Sequence, residues 1–233
     1  MLTIDRQHRR NALDYATYIA LANALREADA DGQVRAIIIT GAGGTFTSGN
    51  DLDDFRRVPQ PSPRGGSLLF GALVDARKPV IAAIEGHAVG IGVTMLLHCD
   101  LAYASDEAKF RLPFTALGLS PEGASSYLLP LLAGEKKALE LLLLSERFTA
   151  AEAVAAGLVN GVVDAGRALA EATQRASAIA ELPVASIEAT KALVRTHRDP
   201  IVREVLATEY RVFTARLTDN AVHAATSSGA QRA

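Results

Sequence analysis

The sequence contains a single cysteine, Cys99, and no excess of charge of either sign. One cysteine excludes an intrachain disulfide, and there are no paired Cys/His spacings of the kind that bind zinc. The 24 Lys and Arg residues nearly balance the 26 Asp and Glu residues, which argues against a nucleic-acid partner. The N-terminus lacks the apolar core of a signal peptide, and acidic residues and histidines interrupt the longest apolar region, residues 80–104. We therefore expect a cytoplasmic protein without metal, nucleic-acid or membrane partners.

Internal repeats and low-complexity tracts are also missing. Apolar residues make up 49% of the 233 residues and charged residues 21%, which is typical of a folded chain and not of a disordered one. A chain of this length can bury a substantial core, and we interpret it as one unit.

Two apolar runs, residues 34–40 and 79–84, predict strands that are covered on both faces. Each run is followed by a glycine-rich loop, and the second loop leads into an almost wholly apolar helix. Before the first strand, Asn11 is placed to cap a helix over about residues 12–30, where apolar residues recur at helical spacing. Residues 56–67, rich in proline and glycine, predict a mobile surface loop. The order of these elements indicates a parallel α/β unit.

The last hundred residues predict helices and no strand. Helices are expected over 135–144, 167–182 and 185–197, and Pro200 is placed to open another. A capping box of Thr149 and Glu152 predicts a short helix that Gly157 ends. Such a helical tail covers an active site or makes subunit contacts, and the sequence does not choose between them.

The two glycine-rich loops, residues 41–52 and 86–92, are the first places to look for a ligand, because ligands lie beyond the carboxyl ends of parallel strands. The first loop is not a P-loop, since it lacks the Gly-Lys-Ser/Thr ending. The second loop enters a helix, so an amide near Ile91 points out from a helix N-terminus. Two such amides on one carbonyl oxygen would stabilise the enolate of a thioester.

Several segments together resemble the crotonase (enoyl-CoA hydratase/isomerase) superfamily in order and spacing. They are Arg9-Arg10-Asn11-Ala12-Leu13, Ser48-Gly49-Asn50-Asp51-Leu52, and residues 78–92, 99–105 and 149–159. The resemblance implies an α/β fold, a crotonase-like spiral of ββα units with a C-terminal helical part. It implies a core over residues 1–133 that carries the CoA and active sites, and a helical region over 134–233 for active-site cover and trimerisation. It also implies an acyl-CoA thioester substrate, no separate cofactor, and a homotrimer or dimer of trimers.

The same resemblance assigns site residues. The oxyanion hole would be formed by the backbone amides of Asn50 and Ile91. The residues expected around the substrate and its CoA moiety are Ala12, Ser48, Gly49, Asp51 and Leu52. Asp51 either helps to bind CoA or stabilises its own turn. His87, in the second loop, either contacts substrate or is a hydrogen-bonded structural histidine, and we give it no catalytic role.

The positions of the two glutamates that hydratases of this family use are occupied by Thr94 and Phe114. Neither side chain transfers protons, so hydratase activity is not expected. The segment Leu119-Ser120-Pro121-Glu122-Gly123 instead resembles the Δ3,Δ2-enoyl-CoA isomerase branch, in which Glu122 matches the single catalytic glutamate. We therefore predict an enzyme of fatty-acid β-oxidation that isomerises 3-enoyl-CoA to 2-enoyl-CoA. Apolar neighbours such as Leu119 and Leu128 are expected to raise the pKa of the Glu122 carboxyl by desolvation.

Alternatives remain open at this stage. Other enolate chemistry on acyl-CoA, as in an enoyl-CoA hydratase, a thioesterase or a decarboxylase, is a second reading, and a noncatalytic acyl-CoA-binding scaffold is a third. Glu122 would also suit the N-cap or the first turn of a helix beginning near Gly123. Residues 139–144 suit either the core or a trimer contact.

Family members usually have one more strand before the segment that matches residues 2–6, so a shortened first hairpin is expected.

Overall fold

The computed structural model describes residues 1–55 and 64–218, in which strands form two sheets. The larger is a five-stranded parallel sheet in the order β1-β2-β3-β5-β8, and the smaller is a three-stranded sheet in the order β4-β6-β7. Strands β4 and β6 are parallel, whereas β6 and β7 are antiparallel. The strands are β1 (Leu2–Ile4), β2 (Ile37–Gly41), β3 (Val80–Ile84), β4 (His87–Val89), β5 (Leu101–Ser105), β6 (Lys109–Arg111), β7 (Arg147–Thr149) and β8 (Gly161–Val163).

Helices cover both faces of the larger sheet. They are α1 (Tyr15–Ala30), α2 (Leu52–Phe55), α3 (Gly65–Asp75), α4 (Ile91–Thr94), α5 (Ser125–Ala133), α6 (Glu135–Leu144), α7 (Ala150–Ala155), α8 (Ala168–Ala180), α9 (Val184–Arg195) and α10 (Arg198–Leu217). Three short 3₁₀ helices lie at Gln7–Arg9, Met95–His98 and Thr115–Leu117. None of the helices within the described ranges combines the length and apolar character needed to cross a bilayer.

Strand β3 shows why the predicted apolar runs form central strands. All five of its residues are buried, and alternate side chains point to opposite faces of the sheet. Val80, Ala82 and Ile84 enter the main core, whereas Ile81 and Ala83 pack with α8 in a second, smaller cluster. A strand covered on both faces has no polar side to show, which confirms the parallel α/β prediction.

Helix α1 has the predicted buried face, but its predicted cap is wrong. The helix begins at Tyr15, and the side chain of Asp14 accepts a hydrogen bond from the amide of Thr17. Asn11 is buried at a φ of 57°. Its amide group donates to the carbonyl oxygens of Ala42 and Thr45, so this side chain holds the first glycine-rich loop and caps no helix.

The prediction for the last hundred residues is correct about the helices, but it is wrong that this part of the chain contains no strand. Helix α6 has the predicted bounds, and Thr149 and Glu152 form the complete capping box of α7. However, β7 pairs with β6 in the smaller sheet, and β8 pairs with β5 in the larger one. Both strands are three residues long, too short for a period-2 pattern to be recognised. The division of the chain at residue 133 stays a prediction.

The predicted loop over residues 56–67 is wrong at its end. Residues 56–63 lie outside the described residues, but Gly65 and the two residues after it form the first turn of α3. A Cβ on Gly65 would lie 2.5 Å from Cδ2 of Tyr18. This glycine therefore permits close packing of α3 on α1, a use that a count of glycines and prolines does not distinguish from a turn.

Candidate active site

The two glycine-rich loops meet edge to edge beyond the carboxyl ends of β2 and β3. The amide of Thr47 donates to the carbonyl of His87 over 2.9 Å, and the amide of Val89 donates back to the carbonyl of Thr47 over 3.1 Å. Gly49 has a φ of +94°, and a Cβ there would lie 2.8 Å from the carbonyl oxygen of Val89. Only glycine permits this approach, which is why the first loop carries one at this position.

From this contact the chain runs on to Asn50 in the first loop and to Ile91 in the second. Ile91 is the first residue of α4, so its amide has no partner within the helix. Neither the Asn50 nor the Ile91 amide donates a hydrogen bond to another described residue, although the amides of Leu13 and Asp51 beside Asn50 are paired. Free backbone donors in adjacent loops are what an oxyanion hole requires. Their use in one stays a prediction.

The Glu122 carboxylate faces the first loop. Its Oε1 atom accepts a hydrogen bond of 3.1 Å from Nδ2 of Asn50. The hydroxyl of Tyr18 donates to Oδ1 of the same amide, which turns the Asn50 amino group toward the carboxylate. Helix α5 begins only at Ser125, with Ala124 at its N-cap position. The alternative in which Glu122 is an N-cap or first-turn carboxylate of this helix is therefore wrong.

Loss of hydration raises the pKa of the Glu122 carboxyl to about 7. The hydrogen bond from Asn50 and the charge of Arg64 oppose this rise, whereas the charge of Glu209 adds to it. Leu119 and Leu128 are buried nearby in sequence, as expected. The direction of the shift agrees with the sequence-based expectation, and it gives Glu122 access to both protonation states near neutrality.

Glu122 opens onto a cavity of about 440 Å³. The wall combines Tyr18, Asn50 and Glu122 with apolar side chains, among them Leu13 before α1, Phe70 of α3, and Leu206 and Phe213 of α10. Gly66 also lies on this wall: a Cβ there would be 3.7 Å from Oε2 of Glu122 and 3.6 Å from Cδ1 of Ile91. A mostly apolar pocket with a few converging polar groups is the usual form of a small-molecule site.

Of the predicted site residues, Asn50 and Glu122 line this cavity directly. The remaining ones, which are Ala12, Ser48, Gly49, Asp51, Leu52 and Ile91, are not among its described wall residues. Gly49 instead makes the loop contact described above.

Asp51 holds the two segments of the predicted CoA site together. It accepts hydrogen bonds of 3.1 Å from Arg6, from Arg9 and from the amide of Asp53. Burial alone would raise the pKa of the Asp51 carboxyl, but these bonds hold it below its ordinary value. Ser48 adds a backbone bond to Arg10, over 3.0 Å. This arrangement supports the turn-stabilising reading of Asp51, while the contacts of these residues with CoA stay a prediction.

The two positions where hydratases carry glutamates hold no carboxylate in this chain. Thr94 and Phe114 are buried, and neither belongs to the described wall of the cavity. Two other acidic side chains do reach the wall, Asp54 and Glu209. Asp54 accepts a bond of 2.6 Å from the amide of Tyr15, and both Glu209 oxygens accept bonds at the start of α5.

Sequence reasoning missed four residues around Glu122. Tyr18, Arg64 and Glu209 line the cavity, and the ring of His98 bonds through Nε2 to the carbonyl of Gly123 over 2.7 Å. Burial lowers the pKa of His98 to about 4, so the ring is neutral at pH 7 and Nε2 donates. Tyr18 lay on the face predicted to be buried, whereas Arg64 and Glu209 gave no signal because their partners are distant in sequence. His87, by contrast, is exposed.

Comparison with known proteins relates this chain to one family. The profile of a family described as enoyl-CoA hydratase/isomerase matches residues 1–230. Enoyl-CoA delta isomerase 2 of Homo sapiens is 35% identical over 232 residues, which cover 96% of this chain and 59% of the human protein. The chain thus spans less than two thirds of the length of this relative.

Two further matches extend along most of both chains. The 2,3-dehydroadipyl-CoA hydratase of Escherichia coli (strain K12) is 32% identical over 216 residues, 92% of this chain and 85% of that protein. A crystal structure of an enoyl-CoA hydratase/isomerase from Pseudoalteromonas atlantica T6c has a TM-score of 0.93 at 37% identity, covering 99% of this chain and 92% of that one. Relatives named for isomerisation and for hydration are therefore both similar to this chain.

Proposed function

Because the chain belongs to the enoyl-CoA hydratase/isomerase family, we propose that it moves the double bond of a 3-enoyl-CoA to the 2-position. Glu122 is the single acid and base of this reaction. The observation that carries the proposal is a cavity in which the Glu122 carboxylate, with a pKa of about 7, accepts a hydrogen bond from the side chain of Asn50, whose backbone amide is free.

The ionised Glu122 takes a proton from C2 of the substrate. The electron pair of that C–H bond forms the dienolate, whose oxygen accepts hydrogen bonds from the amides of Asn50 and Ile91. The protonated carboxyl then returns the proton at C4, which leaves the double bond between C2 and C3. The carboxylate is regenerated, and neither water nor a second acid takes part.

The raised pKa suits both halves of this cycle. A general acid–base group works best when its pKa is close to the working pH, because it must both accept and release the proton. A carboxyl with a pKa near 4.5 would be a weak base toward a carbon acid. The partial burial of Glu122 raises the pKa of its carboxyl. The hydrogen bond from Asn50 favours the ionised form and limits this rise.

Hydration is the second reading, since a hydratase is among the similar proteins. It requires a group that activates water and a separate donor for the α-carbon. Thr94 and Phe114 stand where the family's hydratases carry those groups, and the other cavity carboxylates, Asp54 and Glu209, are engaged by backbone amides. The cavity therefore supports single-carboxylate chemistry better than water addition.

The test is an assay of the purified protein with 3-hexenoyl-CoA and, separately, with 2-hexenoyl-CoA, for the wild type and for Glu122→Gln. We expect the wild type to form the 2-enoyl product. Glu122→Gln should lose roughly 10²- to 10⁴-fold in kcat, the usual contribution of a general acid–base group, while still binding CoA. Glu107→Gln, a change at an exposed carboxylate, serves as the control. Faster hydration of 2-hexenoyl-CoA than isomerisation, or an unimpaired Glu122→Gln, would contradict the proposal.

The proposal extends to fatty-acid β-oxidation, to a cytoplasmic location and to a homotrimer or dimer of trimers. For assembly, the relevant surface is the outer face of α5 and α6, where Leu131, Leu143 and Leu144 are each more than half exposed. In the same run Leu141 and Leu142 are buried, so residues 139–144 serve the core on one side and leave an apolar surface on the other. Light scattering after size-exclusion chromatography tests this part, and a monomer at micromolar concentration would exclude it.

A further inference from the structure

The turn that carries Glu122 into the cavity is left-handed at the two residues that follow it. Gly123 has a φ of 74° and Ala124 a φ of 56°. Glycine adopts this conformation freely, but alanine does not, so such a turn persists only where its surroundings hold it. A Cβ on Gly123 would lie 2.5 Å from Cζ of Phe70, which shows how tightly the turn is packed.

One side chain, Glu209 of α10, holds the far side of this turn. Its Oε2 atom accepts a hydrogen bond of 2.6 Å from the amide of Ala124, 85 residues away in sequence. Its Oε1 atom accepts from the amide of Ser126 over 2.9 Å and from the Ser126 hydroxyl. These amides open α5, which lacks a capping side chain of its own. Glu209 is only 7% exposed, so its negative charge acts at a helix N-terminus with little screening by water.

Glu209 is in turn fixed by the packing of α10. Val202, Phe213 and Leu217 on this helix are buried, which fixes the helix and with it the Glu209 carboxylate. From the other side, His98 donates to the carbonyl of Gly123. The turn is therefore hydrogen-bonded on both sides. The core residue His98 binds the Gly123 carbonyl, and Glu209 of α10 binds the Ala124 amide.

We propose that Glu209 is a positioning residue for Glu122: by capping α5 across the chain, it holds the Gly123–Ala124 turn that directs Glu122 toward Asn50. The packing of α10 thereby becomes a condition for a competent base. Glu209 itself touches no reacting atom, since both of its oxygens accept bonds from α5. The inference rests on the proposed function, because it concerns the base of that reaction.

A cap that only stabilised the fold would behave differently. Its loss would lower the fraction of folded protein, but each folded molecule would keep its full rate. Loss of a positioning residue lowers the rate of each folded molecule, because small displacements of a catalytic group are costly. The informative quantity is therefore kcat per CoA-binding site, measured below the unfolding temperature, together with KM.

The experiment compares Glu209→Gln and Ser126→Ala with the wild type and with Glu204→Gln, which changes an exposed carboxylate on the same helix. Glutamine removes the charge and presents an amino group to one of the two amides. We expect kcat per CoA-binding site to fall about tenfold or more, KM to change less than about threefold, and the Ala124 amide to exchange its hydrogen faster. Ser126→Ala keeps both backbone donors and should show a smaller loss in the same direction. Glu204→Gln should match the wild type.

Either of two results of the kinetic and exchange measurements overturns the inference. Faster exchange at Ala124 with kcat per site within twofold of the wild type would make Glu209 a structural cap only. Unchanged exchange and unchanged kcat would show that the cap does not hold the turn.

A wild type without isomerase activity would refute the proposed function and not this inference. The crystal structure of Glu209→Gln then decides: we expect Oε1 of Glu122 to leave Nδ2 of Asn50, which it meets at 3.1 Å in the wild type. A retained contact overturns the inference.

Discussion

Replacing Glu122 with glutamine is expected to stabilise the folded protein at pH 8 relative to the wild type, and to do so far less at pH 4.5. The cause is the pKa of the Glu122 carboxyl, which burial raises from 4.5 to about 7. Between these values the folded state holds a proton that the unfolded state has released. The stability that this proton contributes is fully present below pH 4.5 and is lost as the pH rises through 7.

The magnitude follows from the two pKa values. At 1.36 kcal/mol per pKa unit, a carboxyl raised from 4.5 to about 7 costs the wild type roughly 3 kcal/mol of folding free energy once it is ionised. This is an upper figure, because Glu122 is only partly buried, so solvent screens part of the cost. Glutamine has nearly the same shape, accepts the same bond from Asn50 and never ionises, so its variant escapes this cost.

The assay is urea unfolding of both proteins at pH 4.5 and pH 8, at equal protein concentration and ionic strength. Other groups that titrate in this range are present in both proteins, so the difference between the two unfolding free energies isolates Glu122. Glu107→Gln is the control and should show no such divergence. A difference between Glu122→Gln and the wild type that is the same at both pH values would refute the reasoning. If the variant without the Glu122 carboxyl is more stable, the catalytic carboxyl lowers the free energy of unfolding of the wild type.

Three further predictions follow from the same contacts. The kcat/KM of isomerisation should rise with pH and level off above about 7, because only the ionised Glu122 accepts the C2 proton; a flat profile from pH 5 to 8 would contradict this. Asn50→Ala removes the bond that favours the carboxylate, so the midpoint of that rise should move to higher pH, and an unmoved midpoint would show that the bond has no such effect. Gly66→Ala should stabilise α3 by about 0.5–1 kcal/mol in urea unfolding, yet lower kcat/KM because its methyl group narrows the cavity 3.7 Å from Oε2 of Glu122; undiminished activity would argue against it.

The elements that were predicted correctly depend on neighbours in the sequence. The run at 79–84 predicted β3 because a strand buried on both faces must be apolar throughout. Helix α6 and the Thr149–Glu152 capping box were predicted because helical spacing and helix caps depend on residues that lie within one or two turns of each other in the sequence. Glu122 was identified by its resemblance to a family motif, while local patterning alone would have favoured a helix-start carboxylate.

The predictions that failed concern choices between groups that sequence does not bring together. Asp14 and not Asn11 caps α1, because Asn11 is drawn away by the carbonyls of the first glycine-rich loop. Gly65 serves a contact with Tyr18 and not a turn. Strands β7 and β8 exist because the edges of β6 and β5 are available to pair with them.

The sequence by itself therefore determined the α/β class, the two glycine-rich loops and the single glutamate, since each is encoded in a short stretch of chain. The tertiary structure decided the state of that glutamate. Its raised pKa, its bond to Asn50 and the hydrogen bonds of Glu209 to the turn beside it arise because α1, α3 and α10 pack around one cavity. Burial and charge at a site are sums over everything packed against it, and those neighbours are known only once the chain has folded.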